Sequence, residues 1–321
     1  SIFKDHYEML LSEAKSNDAA SAYIIGTHYY YGFYVQRYIF SAIEWFLKAA
    51  EQKYSDAEYM LGMIYETLGE DENQKIKAIE YYEKAAQQDH PYALYALGIE
   101  ALEKKHWPKA IHFLERAGHQ NYGLACFSLG MYYHERQENQ PKKAFEWFLK
   151  AAKLDHLEAQ YYAGLYYQFG KGVEKNLGLA VYWYEKAALK HNKNALYHLA
   201  MILIQEDERE MSMIRTLLER AAEQDHPNAA YNLAVIYHKG DGTAIDLHKA
   251  FYWYEKAAKQ GIAQAQYNLG MMYFDGKVVP KDEALAKHWW QEAANQGLEV
   301  AVKLLLSINN YERLQKSTWK S

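Results

Sequence analysis

The chain has 321 residues, half of them hydrophobic, with a formal net charge of −5 and a pI near 6.3. That balance excludes the clustered basic surface that nucleic-acid phosphates require, and no apolar run approaches the roughly 20 residues of a membrane-spanning helix. The lone cysteine, Cys126, rules out an internal disulfide framework, and no Gly/Ser-rich tract supplies a flexible linker, so residues 1–321 read as one continuous domain. Ser1 stands in place of an initiator Met, which favours an exported, periplasmic chain over a cytoplasmic one.

Taken in chain order, residues 3–15 ("FKDHYEMLLSEAK") predict a single helix, which makes 1–17 an N-terminal cap. From 18 to 298 the sequence repeats. A "YxLG" motif, with variants, ends at Gly26, Gly62, Gly98, Gly130, Gly164, Ala200, Ala234 and Gly270. A second motif, "AxxWYxKAA", follows each, and the first alanine of its pair falls at Ala49, Ala85, Ala117, Ala151, Ala187, Ala221, Ala257 and Ala293. From each pair to the next anchor the distance is always 13 residues, whereas from anchor to pair it is 23, 23, 19, 21, 23, 21, 23 and 23. All length variation therefore lies in one of two turns. Apolar residues recur at three and four, the helical period. Each of the eight repeats is thus helix A, a variable turn, helix B and a turn of fixed length: an all-α, α/α solenoid. Residues 299–308 align with helix A alone, and "NNYERLQKSTWKS" then turns polar, so 299–321 form a C-terminal capping helix and tail.

The signature residues carry packing reasons. A glycine inside helix A costs about 1 kcal/mol against alanine, which implies that a neighbouring backbone comes close there. In helix B an aromatic pair, such as Trp45 and Phe46 or Trp183 and Tyr184, precedes the small pair by one turn, so large side chains interleave with small ones. Most of the aromatic excess is therefore core. Repeats three and six have shortened turns and replace the second tyrosine by Ala101 and Leu203.

The run "ALAVYWYEKAALKH" pairs with "HKAFYWYEKAAKQG", and "AQAQYNLGMMYFDGK" precedes "EALAKHWWQEAANQG". These runs resemble the Sel-one-like repeat (SLR) family, relatives of tetratricopeptide repeats, over residues 20 to about 300. The closing glycine of the family pattern survives at Gly261 and Gly297; Asp89, Asn121, Asp155 and Asp225 stand in four other repeats, residues that tolerate the left-handed conformation next best. The resemblance implies a right-handed superhelix and a noncatalytic, bacterial scaffold or adaptor that holds a protein or extended peptide in a concave groove. It also admits an immunity protein that neutralises a secreted toxin, a role of some members. A cysteine-rich branch linked to β-lactam chemistry makes a cell-wall or β-lactam hydrolase the remaining alternative, but that branch depends on a disulfide per repeat.

Candidate sites follow from what the fold does not dictate. "GKG" (170–172) and "GDG" (240–242) lack the Lys-Ser/Thr of a phosphate loop and read as turns. The acidic runs at 69–73 and 206–210 read as solvated turns. The histidines form no metal-ligand pattern, no cofactor is implied, and His90, His156 and His226 recur in the fixed turn as structural residues. By analogy with tetratricopeptide units, the groove is lined by the residue after each anchor, with Met63, Met131, Met201 and Met271 as an adaptable floor, and by the residue two before it, which varies freely. In that second series Tyr162, His198, Asn232 and Asn268 are the partner-binding candidates, the asparagines because each can pair with an extended backbone. The second candidate is the aromatic run at 28–40. In register with repeat five, Tyr34 replaces Gly172 and Tyr38 replaces Asn176, while Tyr30, Tyr31 and Phe33 are equally absent from the repeat pattern. These five either pack under the N-terminal cap or form an exposed anchor patch.

Overall fold

The computed structural model describes residues 2–136, 140–206 and 209–319. Two residues of the 206–210 acidic run, Asp207 and Glu208, lie outside the described residues. The described residues form eighteen helices and no strand. A leading helix α1 (Ile2–Lys15) precedes eight hairpins: α2 (Ala19–Tyr31) with α3 (Ile39–Ala50), α4 (Ser55–Leu68) with α5 (Glu72–Gln87), α6 (Pro91–Glu103) with α7 (Trp107–His119), and α8 (Gly123–Arg136) with α9 (Pro141–Lys153). Then come α10 (Leu157–Phe169) with α11 (Leu177–Leu189), α12 (Lys193–Leu203) with α13 (Met211–Glu223), α14 (Pro227–Lys239) with α15 (Leu247–Lys259), and α16 (Ala263–Asp275) with α17 (Glu283–Asn295). The last helix, α18, spans Glu299–Thr318. Packing groups them into two compact units, Ser1–Ala159 with Lys171–Val173, and Gln160–Gly170 with Glu174–Ser321.

Inside five of the hairpins one joint recurs, while in α6–α7 Leu114 takes the place of the ring. A Cβ added to Gly26, Gly62 or Gly164 would lie 2.6 Å from a ring carbon of Phe46, Tyr82 or Tyr184, respectively. What enters the notch is thus the second aromatic of helix B, where a neighbouring backbone was expected. Those rings are buried, and their polar tips are satisfied as burial demands. Tyr82 donates to Glu66, Tyr184 to Gln168 Oε1 at 2.6 Å, and the Trp290 indole N–H to the Tyr267 carbonyl at 3.2 Å.

The fixed turn has an equally local cause. Residue Ala49 accepts from the Tyr54 N–H at 3.3 Å, Ala151 from His156 at 3.1 Å and Ala257 from Ile262 at 3.1 Å, the six-to-one bond that ends a helix in a Schellman motif. The residue just before each donor is left-handed: Lys53, Asp89, Asn121, Asp155, His191 and Asp225 at φ between 56° and 67°, and Gly261 and Gly297 at 91° and 84°. An inserted residue would break that ring of bonds, which is why the spacing never varies.

Helix α18 runs on to Thr318, well past the polar boundary expected near 308. Only Ala301 of it is buried.

Candidate functional site

The aromatic turn joins α2 to α3. The Gly32 and Phe33 N–H groups both donate to the His28 carbonyl, at 2.8 and 2.9 Å, and Tyr38 N–H donates to the Tyr29 carbonyl at 2.9 Å. Gly32 (φ 77°) and Tyr34 (φ 63°) are both left-handed, a conformation that costs a tyrosine and not a glycine. Tyr38 occupies the N-cap of α3 and makes no side-chain capping bond. At the same place Asn176 accepts from the Leu179 N–H at 3.0 Å.

The rings of the turn stack on one another and on α1. Tyr30 meets Tyr31 edge-on at 4.8 Å, Tyr31 stacks on Phe33 at 5.5 Å, and Tyr34 stacks on Phe3 of α1 at 5.8 Å. Tyr38 meets Phe40 at 5.7 Å. Arg37 donates to the Tyr30 carbonyl at 3.0 Å. Contact with the cap does not bury the cluster: Phe3, Tyr31, Phe33, Tyr34, Tyr38 and Phe40 remain 54–64% exposed, and only Tyr30 is half-buried. Phe3 and Phe40 were not singled out in the sequence. The signal for Phe40 was its alignment with Gly178 and His248; Phe3 comes from a different helix and left none. Beneath the cluster His28 carries a buried Nδ1 with no hydrogen-bond partner, and burial pushes its pKa down, with His6 adding to the effect.

The second candidate surface lies on the A helices. In the second unit Tyr162, His198, Asn232 and Asn268 are all half-buried, with Met201 beside them and Met271 exposed. Asn232 donates to Met201 Sδ at 3.4 Å, and His198 stacks on Tyr184 at 5.6 Å with Tyr161 Oη 3.4 Å from its Nε2. Burial lowers the His198 pKa. In α14 and α16 one face carries Asn228 with Asn232 and Gln264 with Asn268, four residues apart. Among the described residues the Asn268 side chain makes no hydrogen bond. In the first unit the corresponding faces hold Ile24, Met60, Ala96 and Ser128, of which Met60 is buried in the core. There Met63 accepts from Tyr59 Oη at 3.8 Å, and Met131 is half-buried.

The recurring histidines are helix caps. The Nδ1 of His90, His156 and His226 accepts from the N–H of Ala93, Ala159 and Ala229 at 3.4, 3.2 and 3.1 Å. Cys126 is buried in helix α8, and burial pushes its thiol pKa up, the opposite of an activated nucleophile. No helix among the described residues is long and apolar enough to cross a membrane.

A family model described as Sel1 repeat matches residues 19–54, 55–90, 123–156, 157–192, 227–262 and 263–298. The two hairpins it passes over, α6–α7 and α12–α13, are those that replace the second signature tyrosine, by Ala101 and Leu203. Among solved structures, the chain is similar to a protective antigen of uropathogenic Escherichia coli with an SLR fold: 31% identity, TM-score 0.84, covering 96% of this chain and 68% of that one. A Sel1 repeat protein of Oxalobacter formigenes matches at 28% identity and TM-score 0.67, covering 94% of this chain and 89% of that one. A chitin synthase regulator of Saccharomyces cerevisiae is 42% identical over 65 residues, a segment that spans 20% of this chain and 9% of that protein.

Proposed function

The chain belongs to the Sel1 repeat family, and from that premise we propose that it is a noncatalytic scaffold that binds a protein partner through its aromatic turn. Sel1 repeat proteins are in general scaffolds for protein interaction. One observation carries the more specific reading: Tyr34 and Tyr38 occupy a left-handed position and a helix cap that folding would fill better with glycine and asparagine. Residues that work against local structure are expected where function requires them. Exposed, pre-stacked tyrosines and phenylalanines with an arginine between them have the composition of interface anchors. The half-buried amides of α14 and α16 are a second contact, suited to an extended backbone because each offers both donor and acceptor.

The test is to capture the partner from lysate and then measure its affinity for variants. The double variant Tyr34→Gly, Tyr38→Asn is expected to bind at least about tenfold more weakly while folding as well as the parent. Unchanged affinity overturns the role of the turn, and unchanged affinity of Asn232→Ala with Asn268→Ala removes the amide contact. A captured toxin whose activity is blocked by binding makes the scaffold an immunity protein. Turnover of a cell-wall or β-lactam substrate by the purified chain overturns the noncatalytic reading.

A further inference from the structure

The fixed turns meet the next helix A with different chemistry in different repeats: Tyr54 and Ile262 make no side-chain capping bond, whereas other turns supply one. Asn192 caps α12 through Oδ1, which accepts from the Ala195 N–H at 2.9 Å. His226 caps α14 through Nδ1, and the same ring stacks on Tyr197 of α12 at 4.5 Å and 27°. One side chain thus both starts a helix and joins it to the preceding helix A. The capping bond exists only while Nδ1 carries a lone pair, because a protonated imidazole offers two donors and no acceptor.

We propose that His226 is a proton-operated latch: its neutral ring holds the start of α14 to α12, and protonation on acidification releases that joint. The surroundings on balance favour the neutral form, with a backbone hydrogen bond acting the other way as the smallest of the influences. From α12 it faces Lys193, Tyr197 and His198, and it sits at the positive end of α14, whose first turn holds no acidic residue. On α13, Arg220 is turned to the Ala188 carbonyl and to His191, each at 3.0 Å. The neighbouring carboxylate, Asp225, is exposed, and among the described residues His226 forms no ion pair with any carboxylate. Burial, then His198 and Lys193, push its pKa down to about 4. Since that lies below the unfolded value of about 6.5, the unfolded state binds more protons between the two. The stabilisation is present above the unfolded pKa and is lost as pH falls towards the folded one. His90 is the contrast: its Nε2 lies 2.7 Å from Asp56 Oδ1, so a carboxylate compensates a charge on that ring.

Hydrogen exchange on the full chain at about pH 7 and about pH 4.5, corrected for the intrinsic rate, tests the latch. Protection of the Ala229 and Ala230 amides is expected to fall at least about tenfold on acidification, while Ala195 and Leu196, behind the asparagine cap, keep theirs. His226→Asn copies the cap of α12 and is expected to abolish the pH dependence without loss of protection at neutral pH. His226→Ala is expected to lose protection at both pH values. Wild-type protection that does not change, or an equal acid loss in His226→Asn, overturns the proposal.

Discussion

Two turns of equal length, 32–38 ("GFYVQRY") and 240–246 ("GDGTAID"), follow one backbone and carry opposite side chains. In both, the first glycine is left-handed and donates to the carbonyl four residues back, His28 at 2.8 Å and Ile236 at 2.9 Å. In both, the last residue donates to the signature tyrosine, Tyr29 or Tyr237, at 2.9 Å. The third position is left-handed in each, but it is Tyr34 in one and Gly242 in the other. The last residue caps helix B in one, with Asp246 accepting from Lys249 N–H at 3.0 Å, and is the uncapping Tyr38 in the other. Since the backbone is common, the aromatic side chains are not what the turn needs in order to form. The difference separates residues that serve the fold from residues that serve contact.

The largest effect checks that the two hairpins rest on the same frame. Phe46→Ala and Tyr254→Ala each empty a buried ring site and should cost about 3–5 kcal/mol in denaturant unfolding. A much smaller loss for Phe46→Ala would mean that hairpin one is held by its aromatic turn instead, and the comparison would fail. Next comes the graft of GDGTAID onto 32–38. It should lower partner affinity by about 100-fold, the combined loss expected of two anchor residues, with no loss of thermal stability. Retained affinity would show that the exposed rings are not the contact.

Tyr34 and Gly242 then differ in what surrounds them. A Cβ at Gly242 would run into Met211, so Gly242→Tyr combines a left-handed side chain with a steric clash and should destabilise by about 2–3 kcal/mol. Tyr34→Gly should instead stabilise by about 1 kcal/mol, the conformational cost being removed while an exposed stack on Phe3 and an edge contact with His28 are lost. A melting temperature that falls in Tyr34→Gly would place that ring among the structural residues.

Much of this was legible in the sequence because its causes are local. The 13-residue spacing reports a closed hydrogen-bond motif, and the substitutions at 34 and 38 stand out against Gly172 and Asn176 in register. What was not legible depends on other elements. That a ring fills the anchor notch follows from the approach of helix B, which no spacing within helix A encodes. The extent of exposure at Phe33 and Tyr34 depends on how little of them α1 covers. Helix α18 outruns the polar boundary because polar composition alone does not stop a helix: "YERLQK" is built largely from good helix formers, with no glycine or proline to end it.

The smallest effect is the most selective one. Tyr38→Asn restores an acceptor at the N-cap of α3, where Asn176 and Asp246 have one, and removes an exposed ring that touches only Phe40 among its aromatic neighbours. A capping bond contributes about 0.5–1 kcal/mol, so the variant should melt slightly higher, and Asp246→Ala should melt lower by a similar amount. Because the substitution leaves Tyr34 and its left-handed backbone untouched, it isolates the ring at 38 from the strain at 34. Weaker partner binding by this more stable protein would assign Tyr38 to contact; equal binding would confine the contact to residues 31–34.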